Sequence, residues 1–144
     1  MIGQWLRQVG VNVDIASSDW GTVVNRRAVK KPPAEGGWNI FPTASTGLGF
    51  ANPIHLAAHA ATGESGWFGW PRDDLQEKLR DQWAAAATLD ERKRIARELQ
   101  NNAWDYVQHI HLGQFYRASA WRRNLRGLIG LPVITPFWNV EKVA

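Results

Sequence analysis

Four histidines fall in two close pairs, and either spacing could aim two imidazoles at one metal ion. His55 and His59 are four apart on a segment that reads as a short helix. His109 and His111 are two apart where a long helical pattern runs out. No carboxylate joins either pair locally, and two ligands without a third more commonly pack or face solvent, so a small metal enzyme is a lesser reading. Gly47-Leu48-Gly49-Phe50-Ala51-Asn52 has the setting of a dinucleotide loop, after a strand and before a helix, but Asn52 stands where the last glycine is required. Gly63-Glu64-Ser65-Gly66-Trp67 fails as a nucleophile elbow in the same way, with Trp67 at the final glycine position. With no cysteine, disulfide, thiolate-zinc and thiol-nucleophile chemistry are excluded. The expectation is a protein that is not an enzyme, with no catalytic residue, no metal and no cofactor.

What remains is chemistry for holding a ligand. No acidic residue occurs between Glu35 and Glu64, so this stretch offers hydroxyls, backbone amides and rings but no general base. Nine tryptophans against two tyrosines make a lopsided aromatic set, and each indole brings a broad apolar face with one N–H donor. The candidate ligand contacts are Trp38, Phe50, Trp67 and Trp70 as apolar walls, with Thr43 and Ser45 as hydrogen-bond partners. For any single tryptophan a core position is the competing reading.

These residues must be placed by a chain of 144 residues, enough for one domain or a piece of a larger one. Charged residues are 21% and hydrophobic ones 44%, which excludes the low-hydrophobicity regime of disordered chains and predicts a packed fold. Ile2, Trp5, Leu6 and Val9 make one helical face ending at Gly10, with no N-cap before it. Residues 11–15 alternate as a strand, and Ser17, Ser18 or Asp19 caps a second helix to about Lys31, stopped by Pro32 and Pro33. Residues 38–41 read as a second strand, so a β-α-β unit with a parallel pair and an α/β fold are expected.

Residues 42–71 are glycine-rich and aromatic, with Asn52-Pro53 as the predicted start of a short helix. Asp73 opens a helix with Leu75, Leu79, Trp83 and Ala86 on one face. The capping box Thr88-Leu89-Asp90-Glu91 starts a longer one with Ile95, Leu99, Ala103, Tyr106, Val107 and Ile110 inward. Residues 111–121 alternate loosely as a strand, residues 122–131 form a basic connection, and residues 132–140 are an extended tail.

No apolar run reaches the roughly 18 residues of a membrane span, and the first ten residues do not read as a secretion signal peptide. The net charge of +4 concentrates in Arg26, Arg27, Lys30 and Lys31 and in Arg117, Arg122, Arg123 and Arg126. A basic nucleic-acid-binding module is therefore the alternative function, though no reader motif accompanies the charge, and nucleic acid is not an expected partner.

Several segments, taken in order, have a common likeness. These are Leu6-Arg7-Gln8-Val9-Gly10-Val11-Asn12-Val13 with Asp19-Trp20, then Ile110-His111-Leu112-Gly113-Gln114 with Tyr116, then Arg123-Asn124-Leu125-Arg126-Gly127, and finally Pro136-Phe137-Trp138-Asn139-Val140-Glu141-Lys142. Together they resemble the closing part of family 5 extracytoplasmic solute-binding proteins, the dipeptide and oligopeptide receptors of ABC importers. The resemblance implies a partial C-terminal lobe of a two-lobed type II periplasmic-binding-protein fold, a small mixed sheet flanked by helices, with residues 1–144 as a single partial domain.

It implies periplasmic location for the full-length protein, an ABC permease as partner, and a small organic solute, peptide or otherwise, as ligand. It also implies that the stretch after residues 38–41 lines the cleft, where peptide-binding members carry an acidic residue that residues 43–52 lack. His111 stands where a proline is common. A lobe without its neighbours leaves strand edges and apolar faces open, so self-association is expected, with weak or no solute binding by this chain alone.

Overall fold

The computed structural model describes residues 1–131 and 133–143, so Pro132, the first residue of the expected tail, lies outside the described residues. It divides into two compact units, Met1–Thr43 and Ala44–Ala144.

In the first unit, α1 (Ile2–Gln8) forms where the apolar period puts it. Side chains of the following extended segment lie over it at Gly3, where an added Cβ would come within 2.9 Å of the Ile15 side chain and 3.5 Å of Val13. Arg7 Nη2 donates to the Val13 carbonyl at 2.8 Å. α2 (Trp20–Arg26) starts at Asp19, whose carboxylate accepts from the Thr22 N–H at 3.1 Å and the Thr22 hydroxyl at 2.6 Å. These hydrogen bonds hold the Asp19 carboxyl below its usual pKa.

The helix ends five residues before the expected Lys31. Arg26 turns away to donate to the Gly36 and Gly37 carbonyls, and residues 28 and 29 close as turns. The Trp38 indole N–H donates to the Arg27 carbonyl at 3.0 Å, and its ring meets Phe41 edge-on at 4.6 Å.

The expected parallel pair does not form. Among the described residues neither 11–15 nor 38–41 joins a ladder, and Asn39 lies in a bend, so the first unit has no β-α-β unit. Alternation fits a chain to a sheet, but a strand exists only when a second strand takes its N–H and C=O groups. Gly37 is the single buried residue of residues 1–43, and Trp5 and Val9 on α1 are 52% and 76% exposed, so this unit has no apolar core.

The second unit is built on a helical hairpin. α3 (Asp74–Ala85) is capped by Asp73, which accepts from the Leu75 and Gln76 N–H groups, and α4 (Leu89–Tyr106) by Thr88, which accepts from the Glu91 N–H. Leu79, Ala86, Ile95 and Leu99 form the core between them, with Trp83 packed against it under the Arg92 guanidinium.

Four residues expected inward are not: Leu75 and Tyr106 are about half exposed, and Val107, itself exposed, takes a left-handed conformation that ends α4 and leaves Ile110 in solvent. The buried position beside Leu75 belongs to Gln76. Its amide oxygen accepts from Asn102 at 3.2 Å while its nitrogen donates to the His59 carbonyl at 3.5 Å, which makes burial of this polar group tolerable.

Residues 111–121 likewise join no ladder among the described residues, and Gly113 interrupts them at φ +131°. Where a sheet does form, β1 (Leu125–Arg126) pairs antiparallel with β2 (Glu141–Lys142), Leu125 opposite Lys142. The expected mixed sheet is therefore, among the described residues, a two-stranded antiparallel ribbon. Gly127 lets the chains approach there: its φ is +73°, and a Cβ would lie 1.9 Å from the Asn139 carbonyl oxygen. No helix among the described residues is long and apolar enough to cross a membrane.

Candidate functional site

The glycine and aromatic stretch is tied down at both ends rather than trailing. Thr62 and Arg72 form an antiparallel bridge, the Gly63 N–H donates to the Pro71 carbonyl at 2.8 Å, and the Asp73 N–H donates to the Ala61 carbonyl at 3.0 Å. The neck so formed closes a loop that carries Trp67, Phe68 and Trp70. Three groups of the hairpin hold the loop: Glu77 accepts from the Ala61 N–H at 2.7 Å, the Tyr106 hydroxyl accepts from the Arg72 N–H at 2.9 Å, and Gln76 reaches the His59 carbonyl. Arg80 fixes Glu77 in turn, with its Nη1 at 2.8 and 2.7 Å from the two carboxylate oxygens and its Nε donating to the Pro53 carbonyl.

Within the loop, Trp67 and Phe68 meet at 4.9 Å, and Trp70 follows Gly69 with both residues at positive φ. Both indoles are half-buried, neither sealed in a core nor fully exposed. A non-glycine residue at φ +49° is held there only by its surroundings, here the turn that brings the Trp70 N–H to the Trp67 carbonyl at 2.7 Å.

Upstream, the expected helix at Asn52-Pro53 is instead a turn. The Asn52 side-chain oxygen accepts from both the Ile54 and His55 N–H groups at 2.9 Å, a capping arrangement after which the chain makes a single turn and no helix. A 3-10 turn, Ala57–His59, comes next. Before it, Gly47–Phe50 is also 3-10, with the Gly49 N–H donating to the Thr46 hydroxyl at 3.2 Å, and Ser45 packs onto Gly49. Phe50 borders a hollow of about 270 Å³ with Asn52, Pro53, His59, Gln76 and Leu99.

Of the six candidate contacts, Phe50, Trp67 and Trp70 therefore lie on one unit around its hairpin, with Ser45 exposed on the same unit. Trp38 and Thr43 belong to the first unit, Trp38 half-buried against Arg27 and Phe41 and Thr43 exposed.

The histidine pairs are redrawn. His55 stays local, beside the Asn52 side chain at 3.2 Å, while His59 stacks edge-on with His109 at 5.1 Å and His109 with His111 at 4.8 Å. Phe50 joins them, 6.2 Å from His59 and 5.5 Å from His111. Burial foremost, then the His109, His111 and Arg80 charges, lowers the His59 pKa to about 4; burial and then His111 lower that of His109. No group of three or more metal-ligating side chains among the described residues could hold a metal ion. This cluster was not legible in the sequence, because its halves lie some fifty residues apart and no local period links them.

No family model matches the chain. Over 138 residues, 95% of its length, it is 44% identical to a probable peptide ABC transporter periplasmic-binding protein of Sinorhizobium fredii. The chain is a C-terminal part of this solute-binding family. It spans 26% of the length of that relative. Two segments that carried the family likeness, residues 123–127 and 136–142, meet in the antiparallel ribbon of β1 and β2. Of the basic residues, Arg26 is engaged with backbone carbonyls and Arg27 lies 5.8 Å from the Trp20 ring, so part of the first basic cluster serves the fold of this family member.

Proposed function

We propose that this chain forms the ligand-facing, C-terminal portion of the second lobe of a two-lobed periplasmic receptor. The whole receptor captures a small organic solute, peptide or related, and passes it to an ABC permease without covalent chemistry. Residues 1–144 act as one partial lobe. The observation that carries this is the 44% identity over 138 residues to a peptide-transporter binding protein. The loop held at its neck, with half-buried indoles, supports it, since rigidly placed rings with adaptable polar neighbours suit ligand capture.

Trp67, Trp70 and Phe50 act as apolar walls, Trp38 as a further ring, and Thr43 and Ser45 as hydrogen-bond partners. Half a cleft buries only part of a ligand and lacks closure, so the isolated chain should bind its solute at best with about −4 kcal/mol, a Kd near 1 mM. Tryptophan fluorescence titrated with dipeptides, oligopeptides and non-peptide solutes checks this. A solute that shifts the emission of the chain, and tenfold less readily that of Trp67→Ala or Trp70→Ala, is expected; a solute bound equally well by both variants would remove the loop from the site.

Self-association is part of the same reading. Apolar rings and branched side chains lie in solvent on each unit, Trp5 and Val9 on the first, Phe115, Trp121, Phe137 and Trp138 on the second. Sedimentation at micromolar concentration is expected to show a dimer or larger species, and a purely monomeric boundary would count against it.

A further inference from the structure

We propose that His59, His109 and His111 form an acid-released latch that fastens the chain leaving α4 to the 3-10 turn Ala57–His59 at neutral pH. The geometry is that of a clasp. Val107 turns the backbone out of α4 in a left-handed conformation, the Gln108 side-chain amide donates to the Ala58 carbonyl, and the next odd residues drop their imidazoles onto His59 and Phe50. Beyond the clasp, residues 112–121 are exposed and have no ladder, so the imidazole stack and the Gln108 bond are what hold this stretch near its base.

The stack is stable only while the half-buried rings of His59 and His109 are neutral. The His109 Nδ1 is enclosed with no hydrogen-bond partner, so a proton added there would be a donor without an acceptor. A charge on His59 would face His109, His111 and the Arg80 guanidinium. Arg80 is engaged by Glu77, and the Glu77 carboxylate is already committed to Arg80 and the Ala61 N–H, leaving it poorly placed to compensate a third cation. From α4, Ala96, Leu99, Gln100 and Ala103 line the hollow beside His59, none of them charged.

The sign follows. Unfolded imidazoles protonate near pH 6.5, whereas folded His59 does so only near 4, so the folded form binds fewer protons in between. Stability from the latch is therefore full above about pH 6.5 and is lost as the pH falls toward 4.

NMR on this chain tests it. The His59 and His109 ring protons should titrate below the ordinary imidazole value of about 6.5, and backbone order parameters of residues 107–111 should fall from the rigid value of about 0.85 at pH 7.5 to below about 0.6 at pH 4.5. α4 should stay rigid. The double variant His59→Phe with His109→Phe keeps ring packing without titration and should stay ordered at both pH values. Equal order of residues 107–111 at both pH values in the wild type would overturn the proposal, as would loosening of the variant at the same pH. If the variant does not fold, the wild-type data decide: the loosening midpoint must coincide with titration of His59 or His109, and a separate midpoint overturns the latch.

Discussion

Ile95→Ala is expected to destabilise the helical hairpin by about 3 kcal/mol, within the range of roughly 2 to 5 for emptying a large aliphatic core site. Ile95 is 1% exposed and is the largest fully buried side chain among the described residues, in a cluster otherwise made of Leu79, Ala86 and Leu99. In a core this small no neighbouring apolar layer can collapse into the cavity, so lost transfer energy and lost dispersion contacts both count. Domains of ordinary stability have only about 5 to 15 kcal/mol in total, so the loss is a large share of it. Urea denaturation followed by helical circular dichroism measures the effect. Ile95→Val should cost about 1 kcal/mol, and alanine at Ile54, which is 40% exposed, less than about 0.5. An Ile95→Ala cost no larger than that of Ile54→Ala would show that the hairpin is held elsewhere.

Glu77→Ala is expected to have the next largest effect, and to act on the aromatic loop more than on the helices. The carboxylate accepts from the Ala61 N–H and from Arg80, and Ala61 is 1% exposed, so the N–H loses its acceptor in a largely enclosed place. A buried donor left unsatisfied costs about 1 to 3 kcal/mol. The Arg80 side chain, 12% exposed, loses its counter-charge as well, while the 25% exposure of Glu77 lets solvent offset some of this; the sum is about 2 to 4 kcal/mol. Glu77→Gln keeps an acceptor for the Ala61 N–H but not the charge, and should recover roughly half. Protease cleavage within residues 62–72 and the emission of Trp67 and Trp70 report the neck directly. If Glu77→Ala leaves both unchanged, the neck does not depend on this carboxylate.

Both effects meet at the same place. Gln76 and Glu77 are adjacent on α3, and both side chains reach back to the segment that leads into the loop, Gln76 to the His59 carbonyl and Glu77 to the Ala61 N–H. The hairpin is thus the rigid base on which the candidate ligand contacts of the second unit are carried. A receptor of this kind needs its ring contacts placed before the ligand arrives, because ordering them on binding would subtract from affinity.

Several features were readable directly from the residues. Asp73 and Thr88 each mark a helix start, as does one of Ser17, Ser18 and Asp19; in the structure Asp19, Asp73 and Thr88 each accept an N–H two or three residues on. The core positions Leu79, Ala86, Ile95 and Leu99 follow from the helical period. The period misplaced Leu75, because Gln76 beside it finds amide partners on two other segments and so wins the buried position.

By itself the sequence determined where α3 and α4 begin, much of the apolar face they share, that no thiol chemistry is present, and that the chain resembles a solute-binding protein. Those properties depend on groups within a few residues of one another, or on residue identity alone. Only the tertiary structure decided that residues 11–15 and 38–41 have no strand partner, that the aromatic stretch closes at Thr62 and Arg72, and that His59 meets His109 rather than His55. A ladder, a loop neck and a ring stack each need a second partner from far along the chain, and alternation or spacing within one segment carries no information about which distant segment arrives.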